Sequence, residues 1–101
     1  MLSLEYINKL SEKLNLINYQ NEMKYMLRYQ ENTIFIFVKR SQITTNYCRI
    51  DFEEDSDEIS IQFYNFDASR YENEKILIKK ETLYTDLGLI INRSDNEKQS
   101  F

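Results

Sequence analysis

The fold of this chain follows from the segment TIFIFVK at residues 33–39. It is built from β-branched and aromatic residues, and no polar side chain interrupts it between positions 34 and 38. A short apolar run of this kind predicts a strand that is buried on both faces in the middle of a sheet. The segments on either side must therefore supply the strands that pair with it and a helix that covers it.

Three neighbouring segments, residues 23–30, 43–53 and 58–66, predict the pairing strands. Residues 22–30 could instead form a helix with Met23, Met26 and Leu27 on one face, but their alternation favours the strand. Each alternates apolar and polar residues, which is typical of half-buried strands. Short polar stretches separate these segments and predict tight turns. A further, shorter strand is predicted over residues 75–80.

The same alternation assigns side chains to the two faces of the predicted sheet. It directs Cys48 inward, and it leaves Tyr47, Tyr64 and Phe66 on an outer face among charged residues. Exposed strand edges and aromatic faces invite pairing with another chain. We therefore hold a homodimer, formed through an edge or through this aromatic face, as a hypothesis.

Apolar residues at helical spacing predict an amphipathic helix over residues 3–14, with Ser3 as its N-cap. Its apolar stripe consists of Leu4, Ile7, Leu10 and Leu14. The segment 82–92 is either a second helix capped by Thr82 or a strand pair that turns at 86–88, and we favour the helix.

These elements together predict an α+β fold, in which an N-terminal helix packs on an antiparallel β-meander of four to five strands and a C-terminal helix follows. Residues 1–92 form a single domain in this prediction, and residues 93–101 form a polar C-terminal tail.

The composition removes most kinds of catalytic site. Among its 101 residues the chain has no His, one Cys and one Gly. The lack of His excludes Ser-His and Cys-His nucleophile pairs and imidazole metal sites, and a single Gly excludes Gly-rich phosphate loops. Cys48 is predicted to be a small buried apolar residue. We therefore predict a protein that is not an enzyme and that uses no cofactor and no metal.

Origin and location follow from the same composition. The sequence has no apolar run of about 18 residues that could span a membrane, and its N-terminal residues lack an apolar signal-peptide core. The expected location is the cytoplasm. Ile, Asn, Lys and Tyr, whose codons are AT-rich, are abundant, whereas Gly and Pro are nearly absent. This bias indicates a low-GC bacterium or one of its phages, and for a phage protein the location is the host cytoplasm.

Charge is distributed unevenly along the chain. Residues 1–50 contain four acidic and seven basic residues, so this half carries a net charge of +3. Residues 51–101 contain thirteen acidic and six basic residues, so the second half carries −7. Six acidic residues fall within 51–58. They are either a solvated turn or a negative patch that docks on a basic partner. A calcium loop of the EF-hand type is excluded, because Ser56 and Gln62 occupy the positions that need Gly and Glu.

Basic residues in the first half, together with Tyr25, Tyr29 and Tyr47, could form a sheet surface that stacks nucleobases. An isoelectric point near 4.8 argues against direct binding of a polyanion, so we do not expect a nucleic-acid ligand.

This small, acidic, His-free chain resembles phage-encoded inhibitors such as anti-CRISPR proteins, and also small bacterial immunity proteins. The resemblance is one of general character and rests on no shared motif. The resemblance implies an inhibitor that blocks a basic, nucleic-acid-binding surface of a protein partner, with an antitoxin for a basic toxin as the alternative. Two further hypotheses are a nucleic-acid-binding module and a structural homo-oligomer. The predicted partner-binding residues are Asp51, Glu53, Glu54, Asp55, Asp57, Glu58, Tyr47, Tyr64 and Tyr71.

Overall fold

The computed structural model describes residues 2–92, and over that range the chain has the predicted α+β architecture. Helix α1 spans Leu4–Tyr19. The strands are β1 Lys24–Gln30, β2 Thr33–Arg40, β3 Ile43–Phe52, β4 Glu58–Asn65, β5 Arg70–Tyr71 and β6 Ile76–Lys79. Helix α2 spans Lys80–Thr85, and a further helical segment, α3, covers residues 87–92. The predicted polar tail, 93–101, lies outside the described residues.

The sheet is an antiparallel meander in the order β1-β2-β3-β4, and β4 pairs with both β5 and β6. The tight turns place Glu31, Ser41 and Asp55 at φ of 55°, 54° and 60°. This left-handed region usually favours Gly, and Asp tolerates it better than most other residues. A chain with one Gly therefore builds its hairpins with polar residues at these positions.

Helix α1 begins as predicted, because the Ser3 hydroxyl accepts a hydrogen bond of 3.1 Å from the Tyr6 N–H. Ile7, Leu10 and Leu14 are its buried residues, and the helix continues to Tyr19, beyond the predicted end at 14. Asn18 lies in the last turn of the helix. Its side-chain amide donates to the Tyr25 carbonyl at 2.8 Å, and its Oδ1 accepts from the Tyr25 N–H at 2.7 Å. Asn18 thus pairs with the edge of β1 in the manner of a neighbouring strand.

The C-terminal helices lie beside α1 and cover the same face of the sheet. Lys13 of α1 donates to the carbonyl oxygens of Tyr84 and Thr85, and the buried residues Leu83, Leu87 and Ile91 join the core formed by α1 and the sheet. The preference for helix over 82–92 is therefore confirmed, although a turn at Asp86 divides the predicted helix into α2 and α3. Thr82 as the N-cap is wrong: α2 directly follows β6, and its N-cap is Lys79.

The expectation that residues 33–39 are buried on both faces is only half right. Ile34, Ile36 and Val38 are buried beneath the helices, whereas Phe35 and Phe37 on the other side are half-buried. In the described part of the chain no helix covers that second side, which we call the outer face.

The outward assignment of Tyr47 is wrong. Ile36 pairs with Cys48 and Phe37 pairs with Asn46, so Tyr47 is the extra residue of a β-bulge. A bulge shifts the alternation by one position, so Tyr47 and Cys48 both turn into the core, each with 1% of its surface exposed.

Between residues 2 and 92, no helix has the combined length and apolar character that crossing a membrane requires.

Candidate binding surfaces

The first candidate surface is the turn between β3 and β4, residues 53–58, which we call the acidic hairpin. Its five acidic residues are all exposed: Glu53, Glu54, Asp55, Asp57 and Glu58. Within the turn, the Glu58 N–H donates to the Ser56 hydroxyl at 3.1 Å. The structure therefore brings five of the six predicted acidic residues together on one exposed turn.

Hydrogen bonds from two other segments hold the acidic hairpin at its base. The Lys80 N–H donates to the Asp57 carbonyl at 2.7 Å, and the Phe52 N–H donates to the Asn32 carbonyl at 2.8 Å. The Lys80 ammonium lies 5.7 Å from the ring centroids of both Tyr6 and Phe52. The hairpin is thus fixed to the start of α2 and to the neighbouring β1–β2 turn.

Tyr6 completes this base from helix α1. Its ring meets that of Phe52 edge to face at 5.8 Å, and its hydroxyl donates to the Lys80 carbonyl at 2.6 Å. Burial raises the pKa of the Tyr6 hydroxyl from 10.0 to about 12. Tyr6 therefore stays neutral, and remains a hydrogen-bond donor, throughout the physiological range.

Asp51, the sixth predicted acidic residue, is separated from the hairpin. It lies on the outer face, where its carboxylate accepts bonds of 2.9 and 3.1 Å from Arg49 and one of 2.8 Å from the Thr33 hydroxyl. Partial burial raises the pKa of Asp51, but the hydrogen bonds from Arg49 and Thr33 outweigh it, and the pKa lies below its ordinary value. Asp51 therefore organises the outer face rather than the acidic hairpin.

The second candidate surface is the outer face itself, which is rich in aromatic rings. The register aligns Phe35 with Arg49, and Tyr64 with Tyr71. The Arg49 guanidinium lies 5.6 Å from the centroid of the Phe35 ring and 5.9 Å from that of Tyr71. Tyr64 meets Tyr71 edge to face at 5.2 Å. Tyr64 and Tyr71 are therefore predicted residues that the structure brings together, on a surface distinct from the acidic hairpin.

Other aromatic predictions do not agree with the burial pattern. Tyr47 belongs to the core, so its ring is not available to a partner in this fold. Tyr25 is also buried, with 2% exposed, while Tyr29 is half exposed at 51%. The proposed base-stacking set of Tyr25, Tyr29 and Tyr47 is therefore wrong as a surface. The rings that do face outward from the middle of the sheet are Phe35 and Phe37, which sequence reasoning assigned to the core.

A shallow concavity of about 420 Å³ lies on the outer face. Phe37 and Tyr64 contribute its rings, Arg28 its charge, and Asn46 and Thr44 its polar groups. The Arg28 guanidinium lies 5.7 Å from the Phe37 ring centroid. The concavity therefore combines flat apolar surface with hydrogen-bonding groups and a cation.

Neither surface contains a ready metal site. In residues 2–92, no group of three or more Cys, Asp or Glu side chains is arranged to hold a metal ion. Comparison with protein families, with curated proteins and with solved structures gives no match for the chain. The two surfaces are therefore the features of the molecule that bear on its function.

Proposed function

We propose that this protein is a non-enzymatic cytoplasmic inhibitor that uses the acidic hairpin to dock on a basic, nucleic-acid-binding surface of a protein partner. The observation that carries the proposal is the display of five exposed carboxylates on one turn whose base is hydrogen-bonded to α2 and to the β1–β2 turn. Docking there would exclude the nucleic acid that the partner surface normally binds.

The physical basis is electrostatic complementarity. A concentrated patch of one sign steers a partner of the opposite sign and raises the association rate, and this effect weakens as salt increases. A surface that binds phosphates is lined with Lys and Arg, and closely spaced carboxylates are suitable counter-charges for it. The hydrogen bonds at the base of the hairpin also reduce the ordering cost of binding.

The composition supports two settings for such an inhibitor. One is a phage-encoded protein that blocks a bacterial defence complex, as anti-CRISPR proteins do, and the other is an immunity protein or antitoxin that neutralises a basic toxin. A toxin gene next to the coding sequence would identify the second setting, and a phage accessory region would identify the first.

The test uses the tagged protein as bait in a lysate of a low-GC bacterium, treated or not treated with nuclease, with mass spectrometry as the readout. A charge-reversal variant replaces Glu53, Glu54 and Asp57 by Lys. Asp55 is kept, because its φ of 60° suits Asp better than Lys. The matched control replaces three other exposed acidic residues, Glu12, Glu22 and Glu74, by Lys, so both variants change the net charge equally.

We expect a basic nucleic-acid-binding protein to be recovered with and without nuclease by the wild type and by the control, and to be lost with the charge-reversal variant. The purified partner should also lose binding to its own nucleic acid when the wild-type protein is added. Equal recovery by all three baits would contradict the proposal.

A further inference from the structure

The outer face has a charge opposite to that of the whole chain. The strand register places four basic residues there, Arg28, Lys39, Arg49 and Lys79, and two acidic ones, Asp51 and Glu58, of which Glu58 also belongs to the acidic hairpin. Lys24 has an outward register position, but its ammonium donates to the Asn18 and Asn21 carbonyls at the end of α1. This face therefore carries a net +2, although the chain as a whole carries −4. The acidic residues are concentrated elsewhere, above all on the acidic hairpin at one end of the sheet.

The rings and guanidinium groups on this face form flat surfaces. Arg49 lies over Phe35 and Tyr71, and its two bonds to Asp51 hold the guanidinium in place. One row of the register runs from Met26 through Phe37 to Asn46. Aromatic rings and guanidinium planes on an open sheet are the surfaces on which proteins stack unpaired bases.

The concavity beside Phe37 and Tyr64 adds groups that can bind the edge of a base. The Asn46 amide both donates and accepts hydrogen bonds, as does the Thr44 hydroxyl. Arg28 is exposed, and its guanidinium can contact a phosphate from its position over the Phe37 ring. From the rings, the polar groups and the positive charge together, we propose that the outer face binds single-stranded nucleic acid.

Single strands fit this surface better than a duplex does, because in a duplex the faces of the bases are stacked on one another and cannot reach the rings. The low isoelectric point does not oppose this site, since the Debye length is about 8 Å at physiological salt and charges farther away are largely screened. The inference goes beyond the proposed inhibitor function and does not depend on it, because it uses a different surface.

The experiment measures fluorescence anisotropy of labelled oligo-dT and oligo-U of about 12 nucleotides, a length within the usual site size of such surfaces. A duplex of the same length is the comparison. We expect both single strands to bind, the duplex to bind at least about tenfold more weakly, and single-strand affinity to fall between about 50 and 200 mM salt. Absence of single-strand binding at the lower salt would overturn the inference.

Variants locate the binding. Tyr64→Leu and Phe37→Leu keep apolar volume but remove a stacking ring, and each should weaken single-strand binding about tenfold. Arg28→Ala, at an exposed position, should weaken it and reduce its salt dependence. Tyr84→Leu removes an exposed ring from α2 and should leave affinity unchanged. Because Arg28 is exposed, its test stands even if the Phe37 or Tyr64 variant does not fold.

The hairpin charge-reversal variant separates the two proposals. It should retain or strengthen oligonucleotide binding while it loses the protein partner. Binding that the Tyr64 and Arg28 variants do not alter would overturn the inference. The inference would also be overturned if no oligonucleotide bound, and if a protein partner or a second copy of the chain bound in a way that required Phe37 and Tyr64. Such a result would assign the outer face to that partner.

Discussion

The hydroxyl of Tyr47 donates a hydrogen bond of 2.5 Å to the backbone carbonyl of Ile91, 44 residues later in the chain. This bond joins the bulge of β3 to the helical segment α3. The Tyr47 ring also meets Tyr25 at 5.1 Å and Phe63 at 5.9 Å, both edge to face. Tyr47 therefore connects two strands and the C-terminal helices from within the core.

We predict that Tyr47→Phe lowers the free energy of unfolding by about 1–3 kcal/mol, because the buried Ile91 carbonyl loses its donor. Tyr29→Phe is the matched control, since Tyr29 is 51% exposed, and its change should stay within about 0.5 kcal/mol. Urea unfolding followed by circular dichroism measures both. Equal effects of the two substitutions would show that the Tyr47 bond does not stabilise the fold.

The sequence predicted the secondary-structure elements better than it predicted which side of the sheet each side chain occupies. Period-2 alternation, an uninterrupted apolar run and helical spacing were enough for α1, for the five strands β1 to β4 and β6, and for a helical C-terminus, because these patterns reflect burial directly. They could not reveal the bulge at Tyr47, which depends on how β3 pairs with β2. The two-residue strand β5 lies between the predicted strands 58–66 and 75–80, where no strand was expected, and it forms only because β4 lies beside it.

The candidate surfaces were predictable to different degrees. The acidic hairpin was visible as a run of acidic residues, because a tight turn keeps sequence neighbours together. The outer face was not, because Phe35 and Arg49 become neighbours only through strand pairing. An apolar run gives no sign that one of its faces lacks a covering helix, so Phe35 and Phe37 were assigned to the core.

Asn18 is predicted to protect the edge of β1. Asn18→Ala removes both bonds to the Tyr25 backbone and should reduce the free energy of unfolding by about 1–3 kcal/mol. It also frees an edge for pairing, so sedimentation should show more self-association. Asn15→Ala, at an exposed position of the same helix, should be neutral or slightly stabilising. If the two variants behave alike, Asn18 has no protective role.

Alkaline pH should destabilise the fold through Tyr6 and Cys48. Burial raises the pKa of both groups to about 12, from 10.0 for Tyr6 and from 9.0 for Cys48. As pH rises, the folded state therefore keeps protons that the unfolded state releases. The contribution of the two groups to the free energy of unfolding is complete below pH 9.0 and is lost as pH rises toward 12. Tyr6→Phe should reduce the slope between about pH 10 and 12. An unchanged slope in denaturant titrations would contradict the role of Tyr6.

Asp51 should matter for acid stability rather than for docking on the partner. Its folded-state pKa lies below the ordinary value of 3.8, so its ion pair stabilises the fold above that value and the contribution is lost as pH falls further. Asp51→Asn should cost about 1 kcal/mol or less at neutral pH, since the pair is partly exposed. The difference from wild type should shrink in acid. Loss of partner binding with this variant would mean that Asp51 belongs to the docking surface.

Contact between the acidic hairpin and a basic partner is best tested by the nuclease-treated pull-down with matched charge variants. Replacing Glu53, Glu54 and Asp57 by Lys should abolish recovery of a nucleic-acid-binding protein, while the Glu12, Glu22 and Glu74 control retains it. Thermal unfolding of both variants close to wild type would exclude loss of folding as the cause. Recovery of the same protein by the hairpin variant, at the wild-type level, would contradict the account.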